Sequence, residues 1–127
     1  MCETFLNINV NESSHPNWYS RGKDKWGQAQ YQLCYSAHGN VSEYNAMVSQ
    51  TASEIIGKVE TTYGYELSAS NFPEIIFDLS IQDNWYECNC ASCQAEKAKY
   101  GSFSGQQLHF VNDVANEVDK SAFKALA

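Results

Sequence analysis

Between residues 42 and 60, Tyr44, Met47, Val48, Ala52, Ile55, Ile56 and Val59 recur at three- and four-residue spacing. That rhythm puts them on one face and predicts an amphipathic helix with a core-facing stripe, with Ser42 as its N-cap. A second helix is expected from about 104 to 119, with Leu108, Val111, Val114, Ala115 and Val118 as its stripe and Ser102 or Ser104 as its cap. Three segments read as strands. Leu6, Ile8 and Val10 alternate at period two within 5–10. Residues 31–35 form a short run. Ile75, Ile76, Phe77, Leu79 and Ile81 form a nearly continuous apolar stretch, as a strand buried on both faces would. The segment 11–30 reads as a long loop carrying Trp18, Tyr19 and Trp26.

The expected order is therefore strand, loop, strand, helix, strand, cysteine loop, helix. Strands alternating with helices imply an α/β fold of parallel βα units. In such folds a ligand sits beyond the carboxyl ends of the strands. The chain has 127 residues, one domain's worth, expected to span 1–127 as a single unit. A closed (β/α)8 barrel takes about 250 residues and does not fit.

Eight basic residues against 15 acidic ones give a net charge of -7, which disfavours a phosphate-backbone partner. The densest basic stretch, Arg21, Lys23 and Lys25, encloses Asp24 and reads as a solvated loop. No apolar run reaches the length of a membrane span, and the first ten residues lack the features of a signal peptide.

The five cysteines change the picture more. Cys88, Cys90 and Cys93 form C-x-C-x-x-C, while Cys2 and Cys34 stand apart. Three clustered thiols suit a zinc site, with Cys34 or a histidine as the fourth ligand. A disulfide tie, free thiols and a redox pair at Cys90 and Cys93 are the alternatives. Asp83 follows the apolar 75–81 run, where a carboxylate meets a ligand or caps a turn. Trp85 and Tyr86 nearby would raise its pKa toward that of a general acid. Asp78 reads as a carboxylate bonded to neighbouring backbone. Trp18, Trp26 and Trp85 offer flat surfaces for sugars and equally serve as core anchors. His15 and His38 could face a ligand, and His109 reads as a packing residue on the last helix.

The segments His15-Pro-Asn-Trp-Tyr19, Gln32-Leu-Cys-Tyr-Ser36, Ser80-Ile-Gln-Asp-Asn84 with the cysteine cluster, Gly101-Ser-Phe-Ser-Gly105 and Leu108-His-Phe-Val-Asn112 follow in that order. Together they resemble the DUF4838 domain of bacterial carbohydrate-active proteins, which include endo-β-N-acetylglucosaminidases of glycoside hydrolase family 163. The resemblance covers residues 14 to 119. It implies part of a (β/α)8-type catalytic domain acting on glycans that contain N-acetylglucosamine. The substrate's acetamido group would attack the anomeric carbon with help from a carboxylic acid. Gln82 and Asp83 would hold the catalytic position, Asp83 as proton donor or as the group steering the acetamide. His15, Trp18, Gln32, Asn84 and Trp85 would contact substrate. No cofactor is required, and a structural zinc at Cys88, Cys90 and Cys93 stays among the options that the cysteine spacing leaves open. The resemblance also implies an extracellular or periplasmic setting, with the remaining barrel supplied by a longer chain or by a second copy. The competing expectation is a non-catalytic module, carbohydrate-binding or structural, with a cysteine-tied loop.

Overall fold

The computed structural model describes residues 14–20, 32–63 and 87–123. Three helices dominate them: α1 (Val41–Tyr63), α2 (Ala91–Tyr100) and α3 (Phe103–Phe123), preceded by 3-10 turns at Pro16–Trp18 and Ala37–Gly39. Helix α1 packs along α3, α2 packs on α3, and both turns lie against this assembly.

This corrects the α/β expectation. No strand or sheet occurs among the described residues, and no parallel βα unit is formed there. The 31–35 run supplies one isolated antiparallel bridge, between Leu33 and Tyr19. It is held by Cys34 N–H to the Trp18 carbonyl at 2.7 Å and Ser20 N–H to the Gln32 carbonyl at 2.8 Å. The chain then turns at Tyr35 and enters the second 3-10 turn, so extension beyond the bridge is cut short. Residues 5–10 and 75–81, the other expected strands, lie outside the described residues.

The helix expected at 42–60 is α1. Its cap is Asn40, not Ser42: the Asn40 side-chain oxygen accepts the Glu43 N–H at 3.0 Å. Met47, Val48, Ala52 and Ile55 are buried, with Tyr44 and Ile56 packed beside them. The last helix begins at Phe103, where Ser102 Oγ accepts the Gly105 N–H at 3.0 Å. Its buried face differs from the expected stripe. Gln106, Phe110, Val114 and Val118, spaced by four, face inward, while Leu108 is 59% exposed and Ala115 is exposed. The bulk of Phe110 sets the orientation, because its ring meets Tyr35 at 5.0 Å between centroids.

Helix α2 occupies what the sequence suggested was a cysteine loop. Its residues include the strong helix formers Gln94, Ala95, Glu96, Lys97 and Ala98, but only Cys93 is buried, so no apolar stripe announces it. Gly101 ends it at φ 88, a left-handed position that glycine occupies without strain.

One core joins the Leu33 bridge, the segment after it, α1 and α3. Trp18, Tyr19, Leu33, Tyr35, Met47, Val48, Ala52, Ile55, Phe110, Val114 and Val118 form it. The segment around Trp18, expected to be a loop over a ligand cleft, is thus the wall of the helical core.

Candidate metal centre

Beside the main core lies a second cluster made only of cysteines: Cys34, Cys88, Cys90 and Cys93. Two well-separated segments build it. Cys34 leaves the Leu33 bridge and enters a tight turn. Cys88 and Cys90 lie in the extended segment before α2; Cys90 is the residue preceding the helix and Cys93 sits in its first turn. Lys97 anchors the extended segment, donating to the Cys88 carbonyl at 3.3 Å and to Asn89 Oδ1 at 2.6 Å. Gln94 donates to the Asn89 carbonyl at 2.7 Å.

The four sulfurs lie within 4.8 Å of one another. Cys34 Sγ is 3.7 Å from Cys90 Sγ and 3.6 Å from Cys93 Sγ. A disulfide brings sulfurs to about 2.05 Å, so these separations are those of free thiols. A tetrahedral ion with metal–sulfur bonds of about 2.3 Å sets its ligands about 3.8 Å apart. Those two separations are close to that spacing, and the four sulfurs together are near enough to offer one soft ion a tetrathiolate set. Cys34, not a histidine, completes the quartet suggested by Cys88, Cys90 and Cys93. His38 is engaged elsewhere through its ring, whose Nε2 is 2.8 Å from the Tyr19 carbonyl, while its backbone N–H donates to Cys34 Sγ at 3.2 Å.

The turn that presents this N–H is strained. Ala37, His38 and Gly39 have φ of 48, 52 and 83. Left-handed geometry costs a residue with a side chain roughly 1–2 kcal/mol. Hydrogen bonds from the Ala37 and Gly39 N–H groups to the Cys34 and Ser36 carbonyls, each 2.9 Å, hold the turn. The turn thereby aims the His38 N–H at Cys34 Sγ. Ser36 adds a hydroxyl 3.2 Å from Cys93 Sγ, 3.5 Å from Cys34 Sγ and 3.7 Å from Cys90 Sγ. It therefore sits over the face defined by those three sulfurs.

The thiols are strongly coupled. Hydrogen bonds from Cys34 and Cys88 hold the Cys93 thiol well below the usual range. Hydrogen bonding to Cys34 and Cys93, with burial, pushes Cys88 far up. At Cys34 the bond to Cys88 acts downward, but the bond to Cys93 and burial outweigh it and raise the group to about 12. Four sulfurs this close, three of them on buried residues, can share one negative charge; carrying four calls for a cation among them.

Gly39 sets how closely the turn approaches α2. A Cβ there would lie 2.5 Å from Ser92 Oγ, and the residue's φ is already left-handed. Gly39→Ala should lower stability by about 1–2 kcal/mol, read from the urea midpoint of the metal-loaded protein.

The other residues singled out in the sequence fall into two groups. Gln82, Asp83, Asn84 and Trp85 lie outside the described residues, as does Cys2. His15, Trp18 and Gln32 are described. Trp18 is 2% exposed, its Nε1 donates to Glu43 Oε2 at 2.9 Å, and the His15 ring stacks on it at 3.8 Å. One face is covered by His15 and the rest lies in the core. Gln32 is buried in the same layer, next to the Leu33 bridge. Sequence reasoning missed Ser36 and the turn after it. The run of small residues Ser36-Ala-His-Gly39 right after a cysteine was their one signal.

A family model described as Domain of unknown function (DUF4838) matches residues 2–126. No curated protein and no solved structure matches the chain.

Proposed function

The chain belongs to the DUF4838 family, and from that premise we propose that its described part is a zinc-tied helical module whose metal centre serves structure. The observation behind this reading is the set of four free cysteine sulfurs at tetrahedral ligand spacing. Cys34, Cys88, Cys90 and Cys93 would hold the ion and leave no position for a substrate, which is the pattern of structural rather than catalytic zinc. The ion supplies a redox-inert cross-link between the segment around Trp18 and the start of α2. Thiolate ligands favour zinc or iron over calcium and magnesium. The His38 N–H and the Ser36 hydroxyl disperse the excess charge of a tetrathiolate centre.

Elemental analysis of the purified chain should return one zinc per chain. Cobalt substitution should give the visible absorption of tetrahedral thiolate coordination. A chain purified from zinc-replete medium without bound metal would refute the proposal.

Glycan hydrolysis is a separate proposal, supported by the resemblance of residues 80–84 to the family's catalytic segment. It assigns Asp83 as acid or steering group and Gln82 as its neighbour. On that reading the chain hydrolyses an N-acetylglucosaminide, and Asp83→Asn lowers kcat by at least about a hundredfold with zinc content unchanged. Equal turnover by the two proteins would remove Asp83 from the mechanism. Among the described residues, no helix is long and apolar enough to cross a membrane.

A further inference from the structure

A cavity of about 370 Å³ is walled by residues of α1, α2, α3 and the turn after Cys34. Tyr44, Ser92, Ala95, Glu96 and His109 line it together with Ser36. Its size is at the lower end of small-ligand sites, which begin at about 300 Å³.

The walls have a definite chemistry. The Tyr44 hydroxyl donates to Asp113 Oδ2, and His109 Nε2 lies 3.2 Å from the same oxygen. Asp113 does not line the cavity, so these polar ends are engaged outside it and the two residues offer mainly ring surface. The rings are nearly parallel, 6.3 Å apart, and Tyr100 stacks behind His109 at 4.7 Å. Burial, with the hydrogen bond to Asp113, pushes the Tyr44 phenol upward, so it stays neutral. Glu96 is the one carboxylate on the wall. Its Oε2 accepts from Gln106 Nε2 at 2.8 Å, and Gln106 is 1% exposed, so the carboxylate is fixed from the core side. Among the described residues no lysine or arginine pairs with Glu96.

A fixed acidic group beside stacked aromatic rings and a serine hydroxyl favours a compact cation. The carboxylate pairs with its charge, the rings attract it through their faces, and the hydroxyl accepts a remaining N–H. An anion would meet Glu96 and the acidic surface of a chain carrying -7. We propose that this cavity binds an alkylammonium group, either of a free amine or of a lysine side chain, with Glu96 as the charge partner and Tyr44 and His109 as the aromatic wall.

The test uses the full zinc-loaded chain titrated with n-butylammonium, n-butanol and butyrate, three probes sharing one alkyl chain. Binding is followed by calorimetry and by the amide signals of Ser92 and Glu96. Butylammonium should bind saturably and the other two should not. Glu96→Gln should weaken it by about tenfold, the worth of one charge-assisted hydrogen bond. Ala95→Phe, at an exposed position on the rim, should block it by occupancy. A capped lysine binding more tightly than butylammonium assigns the site to a protein side chain, and the reverse order assigns it to a free amine. Equal binding of butanol or butyrate, an unchanged affinity in Glu96→Gln, or no saturable binding by either ammonium probe would overturn the proposal. Zinc content measured on the same samples separates this outcome from failure of the metal centre.

Discussion

Stripping the metal, or replacing Cys34 by serine, should cost the described helices their cooperative fold. Cys34 is fully buried and, among the described residues, is the one cysteine of the cluster contributed from the N-terminal side of α1. Without it the extended segment and α2 keep three thiols but lose the sulfur that ties them to the Leu33 bridge, leaving their contacts with Ser36 and the 37–39 turn. Apparent zinc-binding free energies in small structural sites are about 10–16 kcal/mol near neutral pH. Whole-domain stabilities are about 5–15 kcal/mol. The two are comparable, so metal loss should remove most of the stability. The left-handed Ala37 and His38 after Cys34 add strain, opposed within the turn by its two backbone hydrogen bonds. The expected result is a broad, non-cooperative thermal transition in chelator-treated protein and in Cys34→Ser, restored by zinc in the first case and poorly in the second. A chelated protein whose melting curve overlays that of the metal-loaded protein would show that the core alone supports the fold.

Trp18→Ala should be the most damaging change in the apolar core. The indole is 2% exposed and lies in the cluster that joins the bridge to α1 and α3. Truncating a buried tryptophan costs about 3–5 kcal/mol through lost burial and the cavity left behind. The change also takes the Nε1 donor from Glu43, whose carboxylate then keeps only the weaker His15 contact at 3.6 Å. Trp18→Phe should recover part of the loss by filling most of the space without the donor. Chemical denaturation of the metal-loaded protein reads both. A shift below about 1 kcal/mol for Trp18→Ala would mean that the side chain is exposed in solution, as a substrate platform would be.

How far each element could be read depended on where its information lies. Helix α1 was legible because Met47, Val48, Ala52 and Ile55 repeat at the helical period, a pattern contained within one turn and the next. Helix α3 was legible in extent, yet the stripe through Leu108 and Ala115 was misplaced. Its true face is fixed by Phe110 meeting Tyr35, a contact between residues far apart in the chain. Helix α2 was hidden because it packs against a cluster of cysteines and a neighbouring helix rather than into an apolar groove. Its one buried side chain is a cysteine. The 31–35 run has strand composition, but the bridge to Tyr19 is antiparallel and the chain turns at Tyr35, two residues past Leu33. Alternating strand-like and helix-like segments therefore suggested a parallel sheet, and the described chain did not build one.

By itself the sequence determined local matters: two helices with their approximate ends, a close-set trio of thiols, and an acidic chain with ample aromatic surface. Tertiary structure alone decided that Cys34 meets Cys90 and Cys93 across 56 and 59 positions, and that Trp18 faces inward. The physical reason is one of range. Helical periodicity is set by backbone geometry over a few residues. Bringing distant sulfurs together depends on how whole helices pack, and that is settled by the summed burial of side chains no local window contains.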